Sequence, residues 1–318
     1  MPEKYYTPPF LFGNGHVQTI FPVLFRKVDS VRYKRERIST FDNDFLDLDW
    51  SVNGHDRLAV ISHGLEGNTS RSYVKGMVNA LNKDGWDALA WNYRSCSEEP
   101  NRLLRSYHNG VTDDLSRVIN HAGHKHLYRE IALIGFSLGG NLTLLYLGRE
   151  TPDPIIKKAV VFSVPCDLKE SAKVLAKPVN SLYMKRFLFM LHQKIKDKMK
   201  LLPGLIDDKG YEMIKDFKAF DDRYTAPIHG FKNAEDYWEK CSSKPHLPHI
   251  KIPTLIINAK NDPFLPKACF PVKEVLANKN LTLLMPESGG HVGFVSFNRQ
   301  NLYWSEKQAV NFLNQDWD

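Results

Sequence analysis

Cysteine is scarce in this chain and none is placed to pair. Cys96, Cys166, Cys241 and Cys269 lie far apart and form no C-x-x-C, which excludes a zinc knuckle and a dithiol redox motif and leaves four free thiols suited to a reducing compartment. Long apolar runs are missing too. The nearest, FLFGNGHVQTIFPVLF from Phe10 to Phe25, is broken by Gly, Asn, His and Gln, so no transmembrane helix is expected. The opening residues, MPEKYYTPPF, carry acid, lysine and prolines where a secretory leader needs an apolar core, and the expected location is cytoplasmic. The sequence has no internal repeat, no low-complexity segment, no glycine-rich phosphate loop and no dinucleotide fingerprint, so no cofactor is expected. What is present is ordinary globular composition, 318 residues with 42% hydrophobic and 25% charged, enough to bury roughly three quarters of the surface without staples.

Charge is unevenly spread. The whole chain carries +7, from 43 Lys and Arg against 36 Asp and Glu. Between Lys169 and Lys200 stand nine basic residues (Lys169, Lys173, Lys177, Lys185, Arg186, Lys194, Lys196, Lys198, Lys200) and two acidic ones (Glu170, Asp197), a local +7 equal to the total. Met184, Phe187, Leu188, Leu191 and Ile195 recur in that stretch at helical spacing, which predicts a helix with one apolar and one cationic face. A solvated face on a helix packed against the body satisfies the pattern. The sharper expectation is a surface that approaches an anionic membrane peripherally. Nucleic acid is not an expected partner, because no basic stripe with interleaved aromatics accompanies the charge.

Short β-branched or apolar runs alternate with longer helical patterns. The strand candidates are Phe45–Trp50, Leu58–Ser62, Asp87–Asn92, Ile131–Phe136, Ala159–Val164, Thr254–Asn258 and Thr282–Met285; helical periodicity covers Ser70–Asp84, Asp113–Ala122 and Leu138–Arg149. Such alternation predicts an α/β fold, a mostly parallel sheet with helices on both faces. From 167 to 243 the rhythm breaks into charge-dense helical sequence, read as a helical cap inserted into a core of 41–166 and 244–318. Residues 1–40, rich in aromatics, Pro and Gly without clear periodicity, read as an arm packed on that core.

The most informative stretch is IALIGFSLGG, Ile131 to Gly140. An apolar strand enters Gly135-Phe136-Ser137-Leu138-Gly139 and a helical pattern follows at once, the strand–turn–helix of a nucleophile elbow. A serine hydroxyl needs a base, and an acid to orient that base, later in the chain. Asp262 follows the strand candidate PTLIINAK, and His291 follows LTLLMPESGG, with glycines beside it. Ser137 is the expected nucleophile, Asp262 the orienting acid and His291 the base. Acyl transfer also needs donors for the oxyanion; the turn His63-Gly64-Leu65-Glu66-Gly67 after an early strand supplies the backbone N–H of Leu65, and the elbow supplies that of Leu138. His63 reads as a structural residue shaping this turn. Other polar strings are set aside. His108-x-x-x-x-Asp113 precedes a helix and reads as N-capping, Cys96 as a structural thiol, and His121, His124 and His126 lack neighbouring acidic ligands, so no metal is expected.

The chain resembles an α/β-hydrolase, and more narrowly the YheT-type branch of esterases. The resemblance rests on Pro9–Ile20 (PFLFGNGHVQTI), His63–Gly67, Asn92-Tyr93-Arg94, Gly135–Asn141, Asn261–Phe264 and Gly290–Phe294, which together span nearly the whole chain. It implies Ser137 as nucleophile, Asp262 as acid and His291 as base in the hydrolysis of carboxylic esters, lipid-like esters among them. The combined expectation is a soluble serine esterase that forms an acyl-enzyme on small ester substrates with an apolar acyl part. Alternatives within enzymes are a lysophospholipase or monoacylglycerol lipase, an acyltransferase and an amidase. From another class comes a ligand-binding protein that keeps the fold without turnover.

Overall fold

The computed structural model describes residues 5–125 and 128–317. Eight strands form one sheet: β1 (Lys34–Ser39), β2 (Phe45–Ser51), β3 (Arg57–Ser62), β4 (Asp87–Asn92), β5 (Glu130–Phe136), β6 (Ile156–Phe162), β7 (Thr254–Ile257) and β8 (Leu281–Leu284). Their order is β1-β2-β4-β3-β5-β6-β7-β8. All neighbours from β4 to β8 are parallel, whereas β2 runs antiparallel to both β1 and β4. Parallel strands covered on both faces need apolar residues at odd and even positions alike, which is why RLAVIS and EIALIGF read as continuous runs. Leu58, Val60, Ile131 and Leu133 point to one core with α3 (Thr112–Lys125) and α4 (Leu138–Arg149). Ala59, Ile61, Ala132 and Ile134 point to the other, with α2 (Ser72–Lys83) and the C-terminal helix Trp304–Leu313.

The first forty residues, packed on the core through Tyr6, Val28, Val31 and Ile38, carry regular elements that no periodicity announces. They contain helix α1 (Gly15–Phe25) and the edge strand β1. In KRERIS only Ile38 is buried, so no apolar alternation marks the strand. Its pairing is carried by charge: Arg35 and Arg37 stand opposite Asp49 and Asp47 and bind them in two-pronged hydrogen bonds of 2.7–2.9 Å. A charged edge also discourages pairing with another sheet. Strand β6 begins at Ile156, before the apolar run read from sequence, and ends at Phe162, where Ser163, at φ +50°, turns the chain away.

Between β6 and β7 the described chain is helical: α5 (Leu168–Leu175), α6 (Ser181–Leu201), α7 (Phe217–Phe220), a π-helical turn Asp221–Thr225, α8 (Ala226–His229) and α9 (Ala234–Cys241). A short helix α10 (Val272–Leu276) and the C-terminal helix, α11, complete the fold. The helical segment has apolar clusters of its own. Met184, Leu188 and Ile195 of α6 pack with Tyr211, Ile214 and Phe220, and Phe264 from the sheet side joins them. Helix α6 is less two-faced in charge than its sequence suggests. Lys194 and Lys198 continue the inward stripe. Lys198 is buried and donates to the carbonyls of Asn101 and Leu103, and burial lowers its pKa to about 8. Lys169, Lys173 and Lys200 pair with Glu235, Glu170 and Asp197. Among the described residues no helix is long and apolar enough to cross a membrane.

Helix α1 is clasped to α11. The Arg26 guanidinium meets both Glu306 oxygens at 2.6 and 2.9 Å and lies 3.6 Å over the Tyr303 ring. Both charged side chains are about 3% exposed. Breaking a buried pair leaves an uncompensated charge, so Arg26→Met is expected to lower stability by about 3–5 kcal/mol, read as a fall in the urea midpoint. An unchanged midpoint would show that the clasp contributes nothing.

Candidate active site

Strand β3 feeds α2 and then β4 on one side, while β5 feeds α4 and then β6 on the other. The order therefore reverses between β3 and β5, and the crevice outside the carboxyl ends of two such strands is where open α/β sheets bind ligands. The β3 end carries His63–Gly67; the β5 end carries Ser137.

Ser137 has φ +53° and ψ −116°, a conformation costly for a residue with a side chain. It is held by its N–H to the Phe162 carbonyl (2.8 Å) and by the helix that starts at the next residue. Gly139 lets that helix come so close to β3: a Cβ there would overlap the Ser62 and His63 carbonyls. The result is a hydroxyl lifted out of the sheet edge. Ser137 Oγ lies 2.9 Å from His291 Nε2, and His291 Nδ1 lies 2.9 and 3.1 Å from the two oxygens of Asp262. Asp262 is buried, and its Oδ1 also accepts from the Phe264 N–H at 2.8 Å. A carboxylate can only accept, so Nδ1 carries the imidazole proton and Nε2 is left to accept from Ser137. The three residues predicted from sequence are thus brought together, in an arrangement able to draw the serine proton towards the imidazole.

The turn after β3 is held from several sides. Tyr73 OH accepts from Gly64 N–H (2.9 Å), Tyr107 OH accepts from Glu66 N–H (3.0 Å), and Gly67 N–H closes on the Gly64 carbonyl (3.0 Å). His63 is buried; its Nδ1 donates to the Gly64 carbonyl (2.8 Å) and its Nε2 accepts from Tyr93 N–H (3.3 Å). Burial drives its pKa down to about 3, so it is neutral and serves the turn. Leu65 and Leu138 line the same cavity as Ser137 and His291.

Helix α1 supports the imidazole loop. His291 N–H donates to Thr19 Oγ1 at 2.8 Å, and Thr19 Oγ1 donates to the Gly15 carbonyl at 2.7 Å. Gln18, fully buried, accepts from Tyr6 OH (2.7 Å) and Val295 N–H (3.3 Å). The approach is so close that a Cβ on Gly15 would overlap the Asn261 carbonyl, and one on Gly293 the Gln18 carbonyl. Ser163 Oγ accepts from Val292 N–H on the other side (2.9 Å).

Two cavities meet at this serine. One, of about 160 Å³, runs under the helical segment, with Leu175, Leu191, Phe217 and Trp238 in its wall together with the polar groups of His108, Asn109, Asp221 and His229. The second, of about 210 Å³, lies between α1, the turn 64–67 and α6. Ser137, Leu65, Phe187, Phe264 and His291 border both.

Comparison with known proteins decides the family. A family described as alpha/beta hydrolase fold matches residues 60–296. YheT of Escherichia coli (strain K12), assigned by name as an esterase, is 36% identical over 290 residues, 89% of this chain and 85% of that protein. The chain belongs to the α/β-hydrolase fold family, in its YheT-type branch. It is a hydrolase. Phospholipase ABHD3 of Homo sapiens is 28% identical over 98% of this chain and 79% of its own length, and the monoacylglycerol lipase of Saccharomyces cerevisiae is 29% identical over 80% and 58%. Among solved structures, the Pyrococcus furiosus esterase Pf2001 overlays with a TM-score of 0.60 at 19% identity, over 98% of this chain and 97% of that one; at that identity the likeness concerns the fold.

Sequence reasoning missed several residues that shape this hydrolase site. Glu66, at φ +52° beside Leu65, is buried; its carboxylate accepts from Tyr107 OH (2.5 Å) and lies 3.2 Å from Lys194, which also donates to Cys96 Sγ at 2.8 Å. Here α6 reaches the β3 turn. Nothing local in the sequence signals it, because the partners come from three distant segments. His108 and Asp113, read as one capping string, part company: Asp113 pairs with Arg105, and His108 lines the cavity with its ring 4.4 Å from that of His229. His121 lies against Glu36, and His124 against the Asn120 carbonyl; His126 lies outside the described residues.

The buried titratable groups give a signed pH dependence. Burial lowers His63 to about 3, His229 to about 4, and His108 well below its usual value, whereas it raises Asp221 to about 7. Between about pH 4 and 6.5, unfolding lets three imidazoles take up protons, against release from Asp221 and from Asp114, whose pKa burial also raises. Net proton uptake on unfolding means that stability falls as pH is lowered through this window. The Tm is therefore expected to drop on acidification, and more steeply in Asp221→Asn, where one opposing group is gone. A Tm that rises on acidification would contradict this assignment of neutral histidines.

Proposed function

We propose that this hydrolase cleaves carboxylic esters through an acyl-enzyme formed on Ser137. The observation that carries the reading is the 2.9 Å approach of Ser137 Oγ to His291 Nε2, with Asp262 on the opposite ring nitrogen, at the mouth of an apolar cavity. Ser137 attacks the ester carbonyl as His291 takes its proton. The N–H groups of Leu65 and Leu138 stabilise the oxyanion. His291 then protonates the departing alcohol and activates the water that frees the acid. Asp262 keeps the imidazole in the required tautomer throughout. The segment 167–243 acts as a cap over the core of 41–166 and 244–318, and the cavity under it takes the apolar acyl chain. Relatives named phospholipase and monoacylglycerol lipase favour lipid-like esters over other small esters.

Peripheral contact with an anionic membrane belongs to the same reading, on a smaller surface than the sequence suggested. Lys177, Lys185, Arg186 and Lys196 form no ion pair among the described residues, and Leu182 and Phe189 of α6 are 68% and 64% exposed. Co-sedimentation with anionic vesicles that weakens with salt is the expected result; equal binding to neutral vesicles removes this part of the proposal.

The central test is labelling with a fluorophosphonate and assay on p-nitrophenyl esters of graded acyl length. Wild type should label and show a maximum at one chain length. Ser137→Ala should lose the label and at least ~10³-fold of kcat. A folded wild type that neither labels nor hydrolyses any ester would bring forward the ligand-binding protein that lacks turnover.

A further inference from the structure

The second cavity holds two arginines that the catalytic steps leave unused. Arg71, the residue preceding α2, and Arg186, on α6, both belong to the wall that also contains Ser137 and His291. Neither has an ion pair with a carboxylate among the described residues, unlike Arg26 and Arg94, which are buried against theirs. Arg71 is half-buried and gives one hydrogen bond, from Nη2 to the Glu66 carbonyl oxygen at 3.2 Å. The Glu66 carboxylate, in the same wall, is already engaged by Tyr107 and Lys194. The rest of the wall is largely apolar, with Ile20, Val23, Leu24 and Met190. Arg71, half-buried in such surroundings, acts on an anion more strongly than it would in bulk water, while Arg186 adds its charge from the exposed rim.

We propose that this cavity is a subsite for a phosphate carried on the alcohol half of the ester substrate. The inference rests on the acyl-enzyme reading, which assigns the two halves of the ester. With the acyl chain under the helical segment, the departing alcohol occupies the other cavity, where His291 can reach its oxygen. There Arg71 and Arg186 approach the phosphate from two elements, each with a planar fork of donors. A phosphate offers oxygens to both forks at once, whereas a carboxylate presents a single edge suited to one. Arg71, less exposed than Arg186, contributes more, because solvent screens the outer charge. The subsite binds and orients; it takes no part in proton transfer.

The test compares two esters with the same acyl chain, octanoylglycerol and octanoylglycerol 3-phosphate, both kept below the concentration at which they aggregate so that no lipid surface contributes. Wild type should favour the phosphate-bearing ester by about 10-fold or more in kcat/KM, equivalent to about 1.4 kcal/mol, mainly through KM. Arg71→Gln should lose most of that preference, Arg186→Gln less, and the double variant all of it. Octanoylglycerol turnover, measured in all three, should fall by a smaller factor than turnover of the phosphate-bearing ester. Calorimetry on Ser137→Ala provides a readout independent of catalysis: glycerol 3-phosphate should bind, inorganic phosphate more weakly, and Arg71→Gln added to that background should abolish both. Equal kcat/KM for the two esters, or a preference that survives in the double variant, overturns the subsite. Failure of wild type to label or to cleave either ester counts against the acyl-enzyme instead, and the calorimetric result then decides the subsite alone.

Discussion

The site depends on a steric condition: the first turn of α4 must lie against the end of β3 with no side chain between them. Gly139 meets that condition. Because α4 can advance so far, Ser137 takes its positive-φ turn and Leu138 comes to line the crevice beside the β3 turn. A larger residue at 139 would push the helix back, and the hydroxyl, the helix N-terminus and the β3 turn would separate together. The two strand ends form one chemical unit because their backbones nearly touch.

What the sequence made legible follows from locality. The strands β2 to β8 are short apolar runs bounded by turn residues, and the elbow is a contiguous strand–turn–helix whose glycines are needed within five residues of the serine. Asp262 and His291 stood out as candidates because each lies in the loop that follows a strand, in the chain order this fold uses. Strand β1 stayed hidden because its alternation is written in charge, and the carboxylates that neutralise Arg35 and Arg37 stand on β2. Lys194 and Lys198 misled for the same reason. A lysine counts as solvated until a distant carbonyl, thiol or carboxylate is brought to it, and Asn101 and Cys96 lie about a hundred residues away in sequence, Glu66 farther still.

The helical segment and the sheet are joined by polar as well as apolar contacts. Phe264, two residues beyond Asp262, packs into the cluster formed by α6 and lies tilted against His291, with ring centroids 4.2 Å apart. Lys194 reaches from α6 to Glu66, in the turn that borders the second cavity. The segment therefore touches the acid-bearing loop and the β3 turn at once, and its position bears on both the orientation of the imidazole and the geometry of the turn.

The joint between α1 and the histidine loop has a consequence for descent. Gly15 fits against Asn261, Gly290 against Gly15 and Thr19, and Gly293 against Gln18, with space for a hydrogen and little more at each contact. A side chain gained on either surface collides with backbone on the other, so neither half can drift while its counterpart stays fixed. Two short stretches some 270 residues apart in the chain must be inherited as a matched set, like the two halves of a hinge cut for each other.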